Sequence, residues 1–358
     1  MPTDTIHILG VGNLGKFVAH SLARDVARPV TLLFHREGLK EQWESEGSRI
    51  TCITDAVAET TTDFGIEVLS SDTPTNQPEP NPHMNMIKNL VVTTKAYNIV
   101  SALSRIHHQL DPSSTILLLH NGMGTISEIN TTLFPNPSSR PTLWTGITAA
   151  GIHSSRPFTI IRAGRGPLLL GPADPTTTST QPLPTLIHAL TRSPTLAPTV
   201  LSAPALQRAQ LQKLVVNAVI NPLTALSRCK NRHVAEDDTL RRLAGRLIAE
   251  EIGPVVRGVL GEQQQRDGDG EFSDEKLLER VLAVARETGG NTSSMLQDVS
   301  GGRKTEVGWI NGFVVREGER LGMEVGMNQR LVGLVEAQRA GGGWMLGGRR
   351  GGEDTGGA

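Results

Sequence analysis

Ile6-His7-Ile8-Leu9-Gly10-Val11-Gly12-Asn13-Leu14-Gly15 is the stretch that decides the fold. A short apolar run stops at glycines spaced G-x-G-x-x-G, and residues 16–24 then read as a helix. Gly10 permits the tight turn, and Gly12 lets backbone approach a pyrophosphate. Gly15 lets the helix pack on the strand, with its first N–H groups facing the phosphates. An ordinary glycine-rich turn is the competing reading. The strand before and the helix after favour a dinucleotide loop with Val11, Asn13 and Leu14 inside it.

Working outward, residues 29–34 form a β-rich run that ends at His35-Arg36. An NAD site wants an acid about 20 residues past the glycines to hold the ribose hydroxyls. Here the first acid is Glu37. The Arg36 guanidinium can instead pair in bidentate fashion with a 2′-phosphate, so NADP(H) is the expected cofactor. A solvated surface arginine is the alternative. Further strands are expected at 90–94, 115–119 and 143–147, with helical sequence around 100–109. Strands alternating with helices predict a parallel sheet covered on both faces. Residues 158–162 and 167–170, around Ala163-Gly164-Arg165-Gly166, read as a hairpin closing that domain. Residues 73–86 and 172–184, rich in Pro with Asn or Thr, read as exposed loops.

From residue 203 the strand signals vanish. Helical patterns run through 206–226, 237–260, 273–287, 306–321 and 328–339, with Gly322 where a helix-ending glycine belongs. The 358 residues exceed one compact core. They divide into an α/β domain over 1–200, an all-helical domain over 201–340 and a glycine-rich tail over 341–358, expected to be disordered. Lys+Arg 35 against Asp+Glu 36 leaves no field to attract nucleic acid or an anionic membrane. Aromatic residues at 3% argue against a base-stacking platform. Two cysteines cannot form a disulfide framework, no apolar run reaches a membrane span, and the N-terminus lacks a basic leader. A cytoplasmic protein without membrane partners is expected.

Lys213, Asn217 and Asn221 recur every four residues and share one face of a helix that is otherwise apolar nearly all round. Buried amides and an ammonium are costly without partners, so three in register point to a site. Capping of neighbouring helices, or a lysine reaching out to solvent, are the bland readings. Pro222 should bend or end this helix just after Asn221. Glu306 falls on the arc of Val307, Ile310, Phe313 and Val314. It is either a carboxylate with a buried partner or a first-turn acid favoured by the helix dipole. Asn121 follows the strand 115–119, beyond whose carboxyl end ligands of open α/β sheets bind; a glycine-rich turn is its alternative.

These pieces together resemble the ketopantoate reductase (2-dehydropantoate 2-reductase) family from residue 6 to about 335. The resemblance rests on the glycine loop, on Val92-Thr93-Thr94-Lys95-Ala96 and on His120-Asn121-Gly122-Met123-Gly124. It continues through Lys213-Leu214-Val215-Val216-Asn217-Ala218-Val219-Ile220-Asn221-Pro222, Ser293-Ser294-Met295-Leu296-Gln297-Asp298, Thr305-Glu306 and Ile310-Asn311-Gly312. It implies a Rossmann-type N-terminal domain and a helical C-terminal domain like that of 6-phosphogluconate dehydrogenase. The implied reaction is NADPH-dependent reduction of ketopantoate to (R)-pantoate, on the route to pantothenate and coenzyme A. Lys213 is then implied as general acid and Glu306 as its charged partner. Asn217, Asn221 and Ser294 are implied substrate contacts, Asn121 lies between nicotinamide and substrate, and Lys95 and Arg36 lie on the cofactor side. Gly308 and Gly326 depart from the family, where an aspartate and a proline are expected. A reductase of another 2-oxo acid, or a non-catalytic NADP(H)-binding protein, are the rival functions. A small 2-oxo acid is the expected partner, and a homodimer is compatible with the sequence.

Overall fold

The computed structural model describes residues 4–26, 28–69, 86–174, 182–266 and 270–339. The tail expectation, 341–358, lies outside them, as does most of the two Pro-rich stretches. The chain divides into two compact units, Met1–Gln207 and Arg208–Ala358.

The first unit contains twelve strands among its described residues: β1 (Ile6–Leu9), β2 (Val30–Phe34), β3 (Ile50–Thr54), β4 (Val57–Thr61), β5 (Phe64–Val68), β6 (Asn89–Val92), β7 (Thr115–Leu119), β8 (Thr142–Thr148), β9 (Ile152–Arg156), β10 (Thr159–Arg162), β11 (Leu168–Pro172) and β12 (Thr199–Val200). Its helices are α1 (Asn13–Val26), α2 (Glu37–Ser45), α3 (Ile99–Ser104), α4 (Thr125–Thr132) and α5 (Thr185–Thr191). The main sheet runs β12-β11-β8-β7-β6-β1-β2-β5, and neighbours from β8 through to β5 are parallel. The strand order reverses between β1 and β6, which makes their carboxyl ends the switch point of a doubly wound sheet.

The central strands are buried on both faces, which explains their unbroken apolar runs. Alternation along β7 separates two cores. Leu117 and Leu119 pack with Phe17, Leu22 and Leu186, whereas Ile116 and Leu118 pack with Ile99, Leu103 and Ile129. Each such side chain contributes about 1.5–3 kcal/mol by leaving water.

A second sheet, β4-β3-β10-β9, packs on α1, which touches both sheets. His20 of α1 lies 3.0 Å from Thr61 Oγ1, and burial lowers its pKa, keeping the imidazole neutral. This sheet corrects the expected hairpin. β10 pairs with β9 and β3, whereas β11 pairs with β8 and β12 in the main sheet. The Ala163–Gly166 sequence is a crossing between sheets. Its glycine is required there, because a Cβ on Gly166 would lie 2.3 Å from the Ala149 carbonyl carbon.

The second unit is helical throughout its described residues. A long helix, α6 (Ala203–Ser227), carries the chain across the division at Gln207 and Arg208. α7 (His233–Glu236), α8 (Asp238–Arg246), a π-helical turn (Leu247–Ile252) and α9 (Gly253–Arg266) follow, then α10 (Asp274–Glu287), α11 (Ser294–Ser300), α12 (Val307–Arg320) and α13 (Gly326–Arg339). Asp237 caps α8 through Thr239 N at 2.8 Å, and Ser273 caps α10. Gly322, at φ +70°, closes α12 with Met323 N donating to Gly318 O at 2.8 Å. Pro222 does not end the helix, since α6 runs on to Ser227. Thr224 Oγ1 bonds the Ile220 carbonyl at 2.7 Å within the same turn. Among the described residues no helix is long and apolar enough to cross a membrane.

The switch point yields a stability prediction. Gly10 has φ +100°, and a Cβ there would lie 2.6 Å from Thr94 N, whereas nothing lies within 4 Å of a Cβ on Gly12. Gly10→Ala should cost about 2–4 kcal/mol from backbone strain and overpacking together. Gly12→Ala should melt with the unaltered protein. Thermal unfolding checks both, and equal melting of Gly10→Ala and the parent would contradict the account.

Candidate active site

The candidate residues of the first unit gather at the carboxyl ends of its parallel strands. Gly10 to Gly15 follow β1, Arg36 follows β2, Lys95 follows β6 and Asn121 follows β7. The β1 and β6 ends are locked together. Thr93 N donates to Leu9 O at 2.8 Å, and the Thr93 hydroxyl donates to Gly10 O. A Cβ on Gly15 would lie 2.1 Å from Gly10 O, so the first turn of α1 sits directly on this bend. Val11 and Leu14 pack their side chains against the core. Gly12 is exposed beside open space. The packing of the fold accounts for Gly10 and Gly15, and the space beside Gly12 has room for a close-approaching pyrophosphate. The residues present fit a dinucleotide.

Two polar features here escape the sequence. Lys16 is 6% exposed, with Nζ donating to Ser154 Oγ at 2.9 Å, and the Ser154 hydroxyl in turn bonds Asn13 Oδ1. Burial lowers the Lys16 pKa. This links the glycine loop to β9, whose sequence position gives no hint of the contact. Arg105, just past α3, donates to the carbonyls of His35 at 3.0 Å and Leu69 at 2.5 Å. Arg36 is exposed and extended at the start of α2. Partial burial, then the charges of Arg36 and Arg105, push the His35 pKa down. The end of β2 thus carries two fixed positive charges. Lys95 is half-buried at the start of a 3₁₀ turn, Ala96–Asn98. Asn121 is half-buried, with its carbonyl 2.9 Å from His120 Nδ1, and His120 Nε2 lies 2.9 Å from Thr125 Oγ1.

In the second unit α6 presents Lys213, Asn217 and Asn221 on one face. Lys213 and Asn217 are half-buried, and Asn221 is buried. Glu306 is buried at the residue preceding α12, where its side chain makes no helix-capping bond. Its charge acts on Lys213. Burial pushes the lysine pKa down to about 8, and the Glu306 carboxylate opposes that shift. Burial and the carboxylate act in opposite directions on the amine, which brings its pKa within reach of neutral pH. Ser294 is exposed at the first residue of α11, while its neighbour Ser293 is buried and bonded to Thr224 Oγ1 at 2.7 Å. The Ser293 hydroxyl also accepts from Leu296 N at 3.1 Å. Within this unit the structure brings Lys213 and Glu306 together, and the Thr224–Ser293 bond links α6 to the start of α11.

A doubly wound sheet with a glycine bend at its switch point, followed by a helical unit, defines a Rossmann-type two-unit protein. The chain belongs to the ketopantoate reductase family, a family of oxidoreductases. Residues 6–175 match the model for ketopantoate reductase PanE/ApbA, and residues 205–339 match that for its C terminal. It is 28% identical over 346 residues to a probable 2-dehydropantoate 2-reductase of Schizosaccharomyces pombe, covering 94% of this chain and 96% of the relative. A 2-dehydropantoate 2-reductase of Yersinia pestis is 33% identical over 268 residues, covering 74% and 78%. A ketoisovalerate reductase of Gibberella fujikuroi is 28% identical over 373 residues, covering 92% and 82%.

The electrostatics of Lys213 can be read directly. Removing the opposing carboxylate in Glu306→Gln should move the lysine midpoint below about 8, because only the burial effect is left. An NMR titration of ¹³C-labelled lysine, with Lys213 assigned by Lys213→Arg, checks it. A midpoint that stays put or rises in Glu306→Gln would show that the carboxylate does not act on the amine.

Proposed function

We propose that the protein is an NADPH-dependent reductase of a 2-oxo acid, with 2-dehydropantoate as substrate and (R)-pantoate as product. The observation that carries this reading is Lys213, held near pKa 8 beside Glu306 on a helix face shared with Asn217 and Asn221. A bound reduced nicotinamide dinucleotide supplies the hydride. As the C2 carbonyl oxygen gains negative charge, the Lys213 ammonium stabilises it and donates a proton. Glu306 favours the charged lysine before that transfer, and burial favours the neutral lysine after it. Asn217, Asn221 and Ser294 offer uncharged amides and a hydroxyl for the carboxylate and distal alcohol of the substrate.

In the first unit, Gly10 to Gly15 are assigned to the pyrophosphate, Arg36 to the 2′-phosphate, Lys95 to the cofactor side and Asn121 to the nicotinamide and substrate. Arg105 supports Arg36, since it holds the His35 carbonyl and adds charge at the same strand end. A second reading, reduction of 2-oxoisovalerate, is favoured by the similarity to the Gibberella fujikuroi reductase. The two substrates differ by one hydroxymethyl group. A site that hydrogen-bonds a hydroxyl rejects the analogue lacking it far more strongly than an apolar pocket rejects a missing methylene.

NADPH oxidation with ketopantoate, 2-oxoisovalerate and pyruvate should give kcat/KM at least about a hundredfold higher for ketopantoate. Preference for 2-oxoisovalerate would select the second reading, and no turnover of any 2-oxo acid would remove both. Arg36→Ala should erode the preference for NADPH over NADH by about one to two decades, the worth of a charge-assisted pair. Equal use of both cofactors by the unaltered protein would contradict the assignment of Arg36.

A further inference from the structure

The helix that carries Lys213 has a gap in its own hydrogen bonding. A helical carbonyl accepts from the N–H four residues on, and Pro222 has none. The acceptor left over is the carbonyl of Ala218, a residue with 0% exposure. A buried carbonyl needs a donor, and one arrives from far along the chain. Asn311 Nδ2, on α12, donates to Ala218 O at 2.8 Å.

The orientation of that amide is itself determined. Glu251 accepts from Met327 N at 2.6 Å, from Asn328 N at 2.9 Å and from Asn328 Nδ2 at 2.7 Å. With its Nδ2 committed to the carboxylate, Asn328 turns Oδ1 toward Asn311, whose Nδ2 donates to it at 3.0 Å. Asn311, Asn328 and Glu251 are all buried. The chain Glu251–Asn328–Asn311 therefore points one donor at the carbonyl that Pro222 has released.

The position of this bond gives it a role beyond holding the helix together. Ala218 lies five residues after Lys213 on α6, and Asn311 lies five residues after Glu306 on α12. We propose that Asn311 is a positioning residue that sets the register of the Lys213 helix against the helix headed by Glu306, by giving Ala218 the donor that Pro222 withholds. This rests on the reading of Lys213 as the acid and Glu306 as its partner. The proline becomes a device of the site, because it turns a carbonyl that a regular helix would consume into an anchor for the helix that brings the carboxylate.

The test is a double-substitution cycle: Asn311→Leu, Pro222→Ala, and both together, in the full chain. The readouts are the Lys213 NMR midpoint, kcat and KM for ketopantoate, and melting temperature. Asn311→Leu should lower the Lys213 midpoint, as contact with Glu306 loosens, and lower kcat by about tenfold, the equivalent of one lost hydrogen bond. In the Pro222→Ala background, where an N–H is restored four residues past Ala218, Asn311→Leu should shift the midpoint and kcat far less. Equal effects in both backgrounds would overturn the proposal. So would a drop in melting temperature with midpoint and kcat unmoved, which marks a purely structural bond. If Asn311→Leu alone fails to fold, Pro222→Ala should rescue it, and failure to rescue overturns the proposal equally. Should the unaltered protein reduce no 2-oxo acid, the functional reading fails, while the midpoint arm still decides the register.

Discussion

The opposition between burial of the Lys213 amine and the charge of the Glu306 carboxylate is the interaction on which the candidate site of the second unit depends. Burial pushes the Lys213 pKa down, and the charge of Glu306 pushes it up. Their opposition leaves a pKa of about 8. At neutral pH such a group is mostly charged yet able to give its proton up, which is what a general acid requires. The balance depends on how near the two helices bring amine and carboxylate, and α6 and α12 are joined by a buried bond between Ala218 and Asn311.

The first unit solves a different problem by removing atoms. Two backbone segments, the bend after β1 and the turn after β6, approach closely enough that no side chain fits between them at Gly10. Gly15 brings α1 onto the same bend. With the protein's own packing accounting for these two glycines, the open space at Gly12 is what remains for a ligand. Positive charge is placed one strand away, where Arg36 and Arg105 both act on His35.

Much of this was legible in the chain. β1, β2, β6 and β7 read as strands because burial on both faces makes them continuous apolar runs. Lys213, Asn217 and Asn221 stood out because polar residues at a four-residue spacing interrupt an apolar helix. What escaped the reading depends on contacts between distant positions. Nothing local marks Ser154 as the partner of Lys16, 138 residues away. β4 gave no expectation because it is mostly exposed and lacks an apolar face. The hairpin expected around Gly164 fitted the local turn residues, but its strands are claimed by different sheets. Pro222 follows its local rule in lacking an N–H for Ala218 O, and Asn311, 93 residues away, donates to that carbonyl instead.

In the proposed mechanism Lys213 acts on charge that develops during reaction, and the kcat of a folded Lys213→Ala protein reports that action. An interaction made chiefly in the transition state appears in kcat more than in ground-state binding. With circular dichroism confirming the fold, kcat for ketopantoate reduction should fall by about two to four decades while NADPH affinity changes little. A folded Lys213→Ala protein with near-normal kcat would make the lysine a structural residue and contradict the mechanism.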